Sequence, residues 1–218
     1  MTLAAPPPST PTPQQQESEL QSLRLPWDLR LTAEQFERVC QVNPEAVLEL
    51  SADGKVLAIT PTGGETSARN LRLGQRLLLW AEGAGAGGWR VFDSSGGFRL
   101  PDGSVLSPDA ALVRLDRWQA LTSEQRRGFP PLCPDLVVEL ASPSDEGPRG
   151  VTALRQKMGT YQVNGADLGW LLLPEERAVE IWRGGQQGLA QRLENATRLE
   201  AGEAFAGLVL ELGEIWAV

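Results

Sequence analysis

Two carboxylates on apolar runs, with a lysine on the helix that follows, are the groups in this sequence best placed to do chemistry together. Asp109 lies in Ser107-Pro108-Asp109-Ala110-Ala111-Leu112-Val113, and Glu139 in Pro134-Asp135-Leu136-Val137-Val138-Glu139-Leu140. Both runs read as strands apolar on both faces, the pattern of buried strands. Paired antiparallel, the start of the first lies beside the end of the second, which brings Asp109 and Glu139 to one end of a sheet. Side-chain alternation sets Asp135, Val137, Glu139 and Ala141 on one face and Leu136, Val138 and Leu140 on the other. Two acids meeting in a buried place repel each other and keep their protons unless a cation neutralises them. A divalent metal with oxygen ligands is the natural neutraliser. Each acid also has a plainer reading: Asp109 as a turn residue at a strand start after Pro108, Glu139 as an acid bonded to loop amides.

Composition narrows the chemistry. The chain has 218 residues, 41% of them hydrophobic, enough for one domain with a full core or one domain plus a tail. It contains no histidine. Ser-His-Asp and Cys-His catalysis, histidine-ligated zinc and histidine general bases are thereby excluded, and acid–base work falls to carboxylates, lysine, tyrosine or metal-bound water. The two cysteines, Cys40 and Cys133, lack CxxC spacing and read as buried or incidental thiols. With 28 Asp and Glu against 20 Lys and Arg, the net charge is -8. That counts against tight non-specific DNA binding, which is mostly counterion release driven by Lys and Arg.

The elements that must position these groups can be read in order. Residues 1–23, with Pro6-Pro7-Pro8 and Gln14-Gln15-Gln16, read as a disordered Pro/Gln-rich tail without the apolar run of a signal peptide, which predicts a cytoplasmic protein. Residues 24–218 read as one domain, and no segment reaches the roughly 18 apolar residues of a membrane span. Thr32 is the expected N-cap of the first helix, with Gln35 at the capping-box position. A hairpin from Val47 to Thr60 is expected to turn at Asp53-Gly54, a two-residue turn signal, with Glu49 in its first strand. The helix from Glu65 to Glu82 is expected to turn Leu71, Gly74, Leu77, Leu78 and Ala81 inward. Beside that stripe Arg69, Arg72 and Arg76 form a basic row, either a solvated face or a phosphate-contacting one. Gly83 to Gly88 follows a helix and lacks the Lys and Ser/Thr of a phosphate loop, so it does not bind a nucleotide. Further strands are expected at Trp89 to Asp93, Asp167 to Leu173, Ala178 to Arg183 and Leu189 to Leu193, and Phe98 to Val105 reads as the hairpin leading into Asp109. Arg114 to Phe129 reads as a surface helix and loop, and Trp170, Trp182 and Trp216 as core or dimer-contact aromatics.

Taken in order, Pro108-Asp109, Pro134 to Asp145, Lys157-Met158-Gly159-Thr160-Tyr161-Gln162-Val163-Asn164-Gly165 and Trp170-Leu171-Leu172-Leu173-Pro174 resemble the Uma2 family (DUF820) of restriction-endonuclease-like proteins. The resemblance runs from about Thr32 to the C-terminus, and Leu48 to Lys55 is similar to the family's opening hairpin. It implies the PD-(D/E)xK nuclease fold: an α/β architecture with a restriction-endonuclease-like core, a central mixed β-sheet flanked by helices, and additional β-hairpins. It further implies that Asp109, Glu139 and the backbone carbonyl of Leu140 hold Mg²⁺ or Mn²⁺, that Lys157 is catalytic, that DNA is the substrate, and that the chain forms a homodimer. The resemblance makes Glu49 a recurrent acid, although a solvated strand glutamate describes it equally well. Glu65 is either a further acid near the metal or a partner of the helix dipole.

One departure stands out. The pattern places a lysine two residues after the strand acid, and position 141 is alanine. Uma2-like sequences commonly carry the lysine on the following helix, where Lys157 matches. Leu154, Lys157 and Tyr161 recur at i, i+3 and i+7, which puts Lys157 on a stripe flanked by core-type residues; the plainer reading is a lysine whose stem packs while its amine reaches water. The implied function is a metal-dependent endonuclease hydrolysing DNA phosphodiester bonds. The missing strand lysine and the acidic surface speak for the alternative, a non-catalytic nuclease-fold binding or scaffold protein, and a metal-dependent hydrolase with another substrate is a third reading.

Overall fold

The most apolar runs of the sequence become the middle strands of a central sheet, because only there are both strand faces covered. A computed structural model describes residues 26, 28–59, 62–145, 148–185 and 190–217. The tail read over residues 1–23 and the first residue of the strand read from Leu189 lie outside the described residues. The elements are α1 (Ala33–Val42), β1 (Leu48–Leu50), β2 (Val56–Ala58), α2 (Gly64–Glu82), β3 (Trp89–Asp93), β4 (Phe98–Arg99), β5 (Val105–Leu106) and β6 (Ala110–Arg114). There follow α3 (Leu115–Gln119), α4 (Ser123–Arg127), β7 (Leu136–Leu140), α5 (Pro148–Val163), β8 (Leu168–Leu173), β9 (Ala178–Arg183), β10 (Gln191–Leu193), β11 (Arg198–Glu200), β12 (Val209–Glu211) and α6 (Gly213–Trp216).

The main sheet has six strands in the order β10-β9-β8-β7-β6-β3. It is mixed: β7 and β8 run parallel, joined by α5 as the crossover, and the other pairs are antiparallel. A four-stranded sheet, β2-β1-β5-β4, packs under α1, and β11 and β12 form a small ribbon. Ala110, Leu112, Leu136, Val138 and Leu140 face α2 and the C-terminal ribbon, whereas Ala111, Val113 and Val137 face α5. This is the alternation expected of β7. Thr32 caps α1 with the reciprocal Gln35 bond of a capping box, as its sequence implies.

Three expectations change. The hairpin after β1 turns through three residues, Ala52-Asp53-Gly54, and not two: Ser51 donates to the Lys55 carbonyl at 3.0 Å while Gly54, at φ +80°, donates to Ser51 at 2.9 Å. Pro101-Asp102-Gly103 repeats the same loop, with Gly103 at φ +88°. An Asp-Gly pair serves this bulged loop as well as the tighter turn, because both need one residue in the left-handed region.

The inward face of α2 consists of Thr66, Arg69, Leu73, Leu77, Trp80 and Ala81, while Leu71 and Leu78 are 77% and 47% exposed. The run Leu77-Leu78-Leu79-Trp80 is apolar on every side, so its largest member decides the helix phase. Trp80 packs against Trp89 and Phe205, at ring distances of 5.6 and 6.5 Å.

The basic row of α2 is neither a solvated face nor an open phosphate surface. Arg69 is buried and its Nε donates to the Ile215 carbonyl at 3.2 Å. Arg76 Nε donates to Glu214 at 2.9 Å, and Arg72 reaches the same carboxylate at 3.5 Å. The row fastens α6 to α2. Ile215, 1% exposed, is the apolar part of that contact. Ile215→Ala is expected to lower stability by about 2–5 kcal/mol in urea unfolding, the usual range for such a truncation. Glu214→Gln, whose ion pairs are partly exposed, is expected to leave the urea midpoint almost unchanged.

Candidate functional site

One continuous segment joins the two larger sheets. Its β5 end belongs to the four-stranded sheet, its β6 end to the six-stranded sheet, and Ser107-Pro108-Asp109 spans the crossing. The register of β6 on β7 pairs Ala110 with Val138 and Ala111 with Val137, so the next pair outward is Asp109 and Glu139. From the other sheet β1 contributes Glu49. Glu49 and Glu139 are 4% and 3% exposed.

Lys157, in the middle of α5, supplies the cation these acids require. Its Nζ lies 2.8 Å from Glu49 Oε1, 2.9 Å from Glu139 Oε1 and 2.9 Å from the Ser107 carbonyl oxygen. An ammonium has three hydrogens to donate, and all three are used. Only 17% of its side chain is exposed, so it does not reach out to water as a packed-stem lysine would. Glu49 Oε1 also accepts the Ser107 N–H at 2.8 Å. One turn along α5, the fully buried Tyr161 donates its hydroxyl to Glu139 Oε1 at 3.2 Å. The solvated reading of Glu49 is therefore set aside, and Tyr161 both packs in the core and orients an acid.

Asp109 is gripped from the opposite side. The Leu140 N–H donates to its Oδ2 at 2.8 Å, and the side-chain amide of Asn70, on α2, donates to its Oδ1 at 2.9 Å. The backbone group of Leu140 engaged here is thus its amide. Sequence reasoning missed Asn70, although an asparagine in mid-helix is a weak signal in itself: the side chain disfavours helix unless it has something to bond.

Burial pushes the Glu139 carboxyl up to about 8, with Lys157 pulling it down and the charges of Asp109 and Glu49 pushing it further up. Burial raises Asp109 as well, against the Leu140 N–H, Lys157 and Asn70. At Lys157 burial favours the neutral amine, but Glu139 and Glu49 outweigh it and hold the ammonium above its ordinary value. The remaining acids named by the sequence lie elsewhere. Asp135, on the same face of the sheet as Glu139, is held by Arg117 at 2.7 Å and Arg114 at 3.2 Å. Glu65 is exposed and pairs with Arg69 at 3.7 Å.

Fully ionised, Glu49, Asp109 and Glu139 set three negative charges against the one positive charge of Lys157, a deficit of two. A divalent cation fits that deficit. The donors are hard carboxylate oxygens, which suit Mg²⁺ or Mn²⁺. Asn70 Oδ1, buried and without a hydrogen-bond partner, is a further oxygen beside Asp109. Among the described residues no group of three or more carboxylates or thiols forms a ready ligand cage. The fit is therefore to an ion that keeps much of its water shell and is held through a pair of carboxylates, as Mg²⁺ commonly is.

The family model for Uma2, described as "Putative restriction endonuclease", matches residues 33–213. The chain belongs to the Uma2 family. Among solved structures, a putative nuclease belonging to DUF820 from Anabaena variabilis is similar at 20% identity and a TM-score of 0.67, over 86% of this chain and 98% of that one. That likeness establishes the restriction-endonuclease-like fold. No curated protein matches the chain. In this Uma2 chain the alanine at position 141 packs against the core beside α5, and the one lysine near the paired acids comes from α5 itself.

Removing the shared cation is expected to be costly. Lys157→Met leaves Glu49 and Glu139 buried without a counter-charge, and a loss of about 3 kcal/mol or more in urea unfolding is expected. The pH dependence follows from Glu139. Its pKa in the folded state is raised from 4.5 to about 8, so its contribution to stability is fully present below pH 4.5 and is lost as pH rises towards 8. Relative to Glu139→Gln, the wild type is expected to lose on the order of a few kcal/mol across that window without metal. Parallel unfolding curves for the two proteins at pH 5 and pH 8 would contradict this.

Proposed function

We propose that this Uma2 protein is a metal-dependent endonuclease that hydrolyses phosphodiester bonds in DNA, acting in the cytoplasm as a homodimer. The observation that carries the reading is the meeting of Asp109 and Glu139 on neighbouring strands, beside one ammonium and two charges short of neutrality. Asp109, Glu139 and the Leu140 carbonyl would hold Mg²⁺ or Mn²⁺. Such an ion supplies Lewis acidity towards a phosphodiester and a water of lowered pKa.

The protein's own groups have separable parts. Asn70 and the Leu140 N–H fix the Asp109 carboxylate, and Tyr161 fixes that of Glu139. Lys157 favours the ionised form of Glu139 against its burial and carries positive charge to where a phosphate oxygen gains negative charge. Of its three bonds, the one to the Ser107 carbonyl is exchangeable for a substrate oxygen without uncovering an acid. Leu71 and Leu78, exposed in one row on the outer side of α2, suit self-association.

The alternative, a non-catalytic nuclease-fold binding or scaffold protein, is favoured by Ala141 and by the net charge of -8. Calorimetry with Mn²⁺ and plasmid nicking on the same samples separate the two. The wild type is expected to bind the ion and nick in its presence, Asp109→Ala and Glu139→Ala to lose both, and Lys157→Met to lose about a hundredfold in rate. A wild type that binds no Mn²⁺ at millimolar concentration would leave the scaffold reading.

A further inference from the structure

On the α5 face of the large sheet, towards its acid end, lies an open cavity of about 420 Å³, a size typical of small-ligand sites. Phe92, in its wall, pairs across the strands with Ala111 and so shares the face that carries Glu139. Strand β3 ends at Asp93, opposite Ala110, and the loop Ser95-Gly96-Gly97 therefore leaves the sheet at the acid end. Gly97, in the cavity wall, abuts a residue of the acid site. A Cβ at Gly97 would stand 2.7 Å from the Phe129 ring and 3.2 Å from Ser107 Oγ, and Ser107 is the residue whose carbonyl Lys157 holds.

Three kinds of group line the cavity. Phe92 and Trp118 meet edge to face at 5.1 Å, and Phe129, stacked on Phe36, closes against glycine. Arg126 and Arg127 end α4; both are exposed, and neither is paired with an acid among the described residues. Glu37 of α1 is the carboxylate in the wall. Aromatic rings beside bare backbone suit a flat heteroaromatic ring, the guanidinium groups suit an anion next to it, and a carboxylate suits an N–H on its edge. A nucleobase with its flanking phosphates offers all three features. In a duplex its faces and pairing edge are occupied, so the base must be unpaired.

We propose that this cavity is a nucleotide pocket that takes one unpaired base of a single-stranded or locally opened nucleic acid, seats the adjoining phosphates on Arg126 and Arg127, and so brings the neighbouring phosphodiester to Asp109 and Glu139. The assignment deepens the nuclease reading and rests on it. It also gives an acidic chain a means of binding nucleic acid: stacking and two local guanidinium groups replace a broad basic surface.

The test is fluorescence anisotropy of the full chain in EDTA, where neither metal nor cleavage contributes. The probes are a short fluorescein-labelled DNA single strand of mixed sequence, its RNA counterpart and the blunt DNA duplex. The single strands are expected to bind more tightly than the duplex, and the tighter of the two identifies the source of the base. Trp118→Leu and the double reversal Arg126→Glu/Arg127→Glu are each expected to weaken single-strand binding about tenfold. The reversal alters only exposed residues, so it stands even if Trp118→Leu misfolds. Wild-type binding that is absent, that equals binding to the duplex, or that the reversal leaves unchanged would overturn the pocket. Loss of the nuclease reading looks different: the wild type would fail to nick plasmid with Mn²⁺ while single-strand binding still depended on Arg126 and Arg127.

Discussion

The Lys157 ammonium is the constraint on which the site depends. Two glutamates from two different sheets end on it, and so does the carbonyl of the residue where the chain passes from one sheet to the other. Without that charge, Glu49 and Glu139 would lie at less than one-twentieth exposure with no counter-charge, and desolvating a lone carboxylate costs several kcal/mol. The lysine therefore ties the small sheet to the large one while it fixes the acids. This double duty explains why a long, flexible side chain is found with all its hydrogens committed.

The arrangement leaves Asp109 on a different footing. Glu139 is oriented from α5, by a lysine and a phenol, whereas Asp109 is oriented from α2, by an amide that carries no charge. The two acids are adjacent in register yet supported from opposite layers of the molecule. When both are ionised, they and Glu49 carry more negative charge than Lys157 alone balances. An acidic protein is no obstacle to such a site, since attraction for a small divalent ion and repulsion of a polyanion act at different places on the surface.

Much of this was legible in the sequence. The apolar runs marked both segments as buried strands, and pairing them antiparallel, as β6 and β7 do pair, sets Asp109 opposite Glu139. The i, i+3, i+7 spacing put Lys157 on a packed stripe of its helix, and the family resemblance implied its place beside the acids. What stayed hidden depended on partners distant in sequence. Arg69, Arg72 and Arg76 look like a solvent-facing row until Glu214 and the Ile215 carbonyl are seen to lie over them. The phase of α2 is only partly legible, Leu77 and Ala81 facing inward as expected and Leu71 and Leu78 not, because four consecutive apolar residues offer no polar side to mark the surface. The burial of Glu49 was open for a similar reason, since a three-residue strand is too short for its alternation to name a face.

The fastening of α6 to α2 has a consequence for how the protein is made. The core on that face of the sheet combines Leu73, Leu77 and Trp80 with Leu199, Phe205, Leu208, Leu210, Leu212 and Ile215. Its two halves are separated by most of the chain, so loop closure must precede any gain from packing. During synthesis α2 leaves the ribosome with an apolar face that nothing yet covers. That layer closes only once residue 215 has emerged, so the nascent chain carries exposed aromatic surface for most of its translation, a natural point for chaperone engagement.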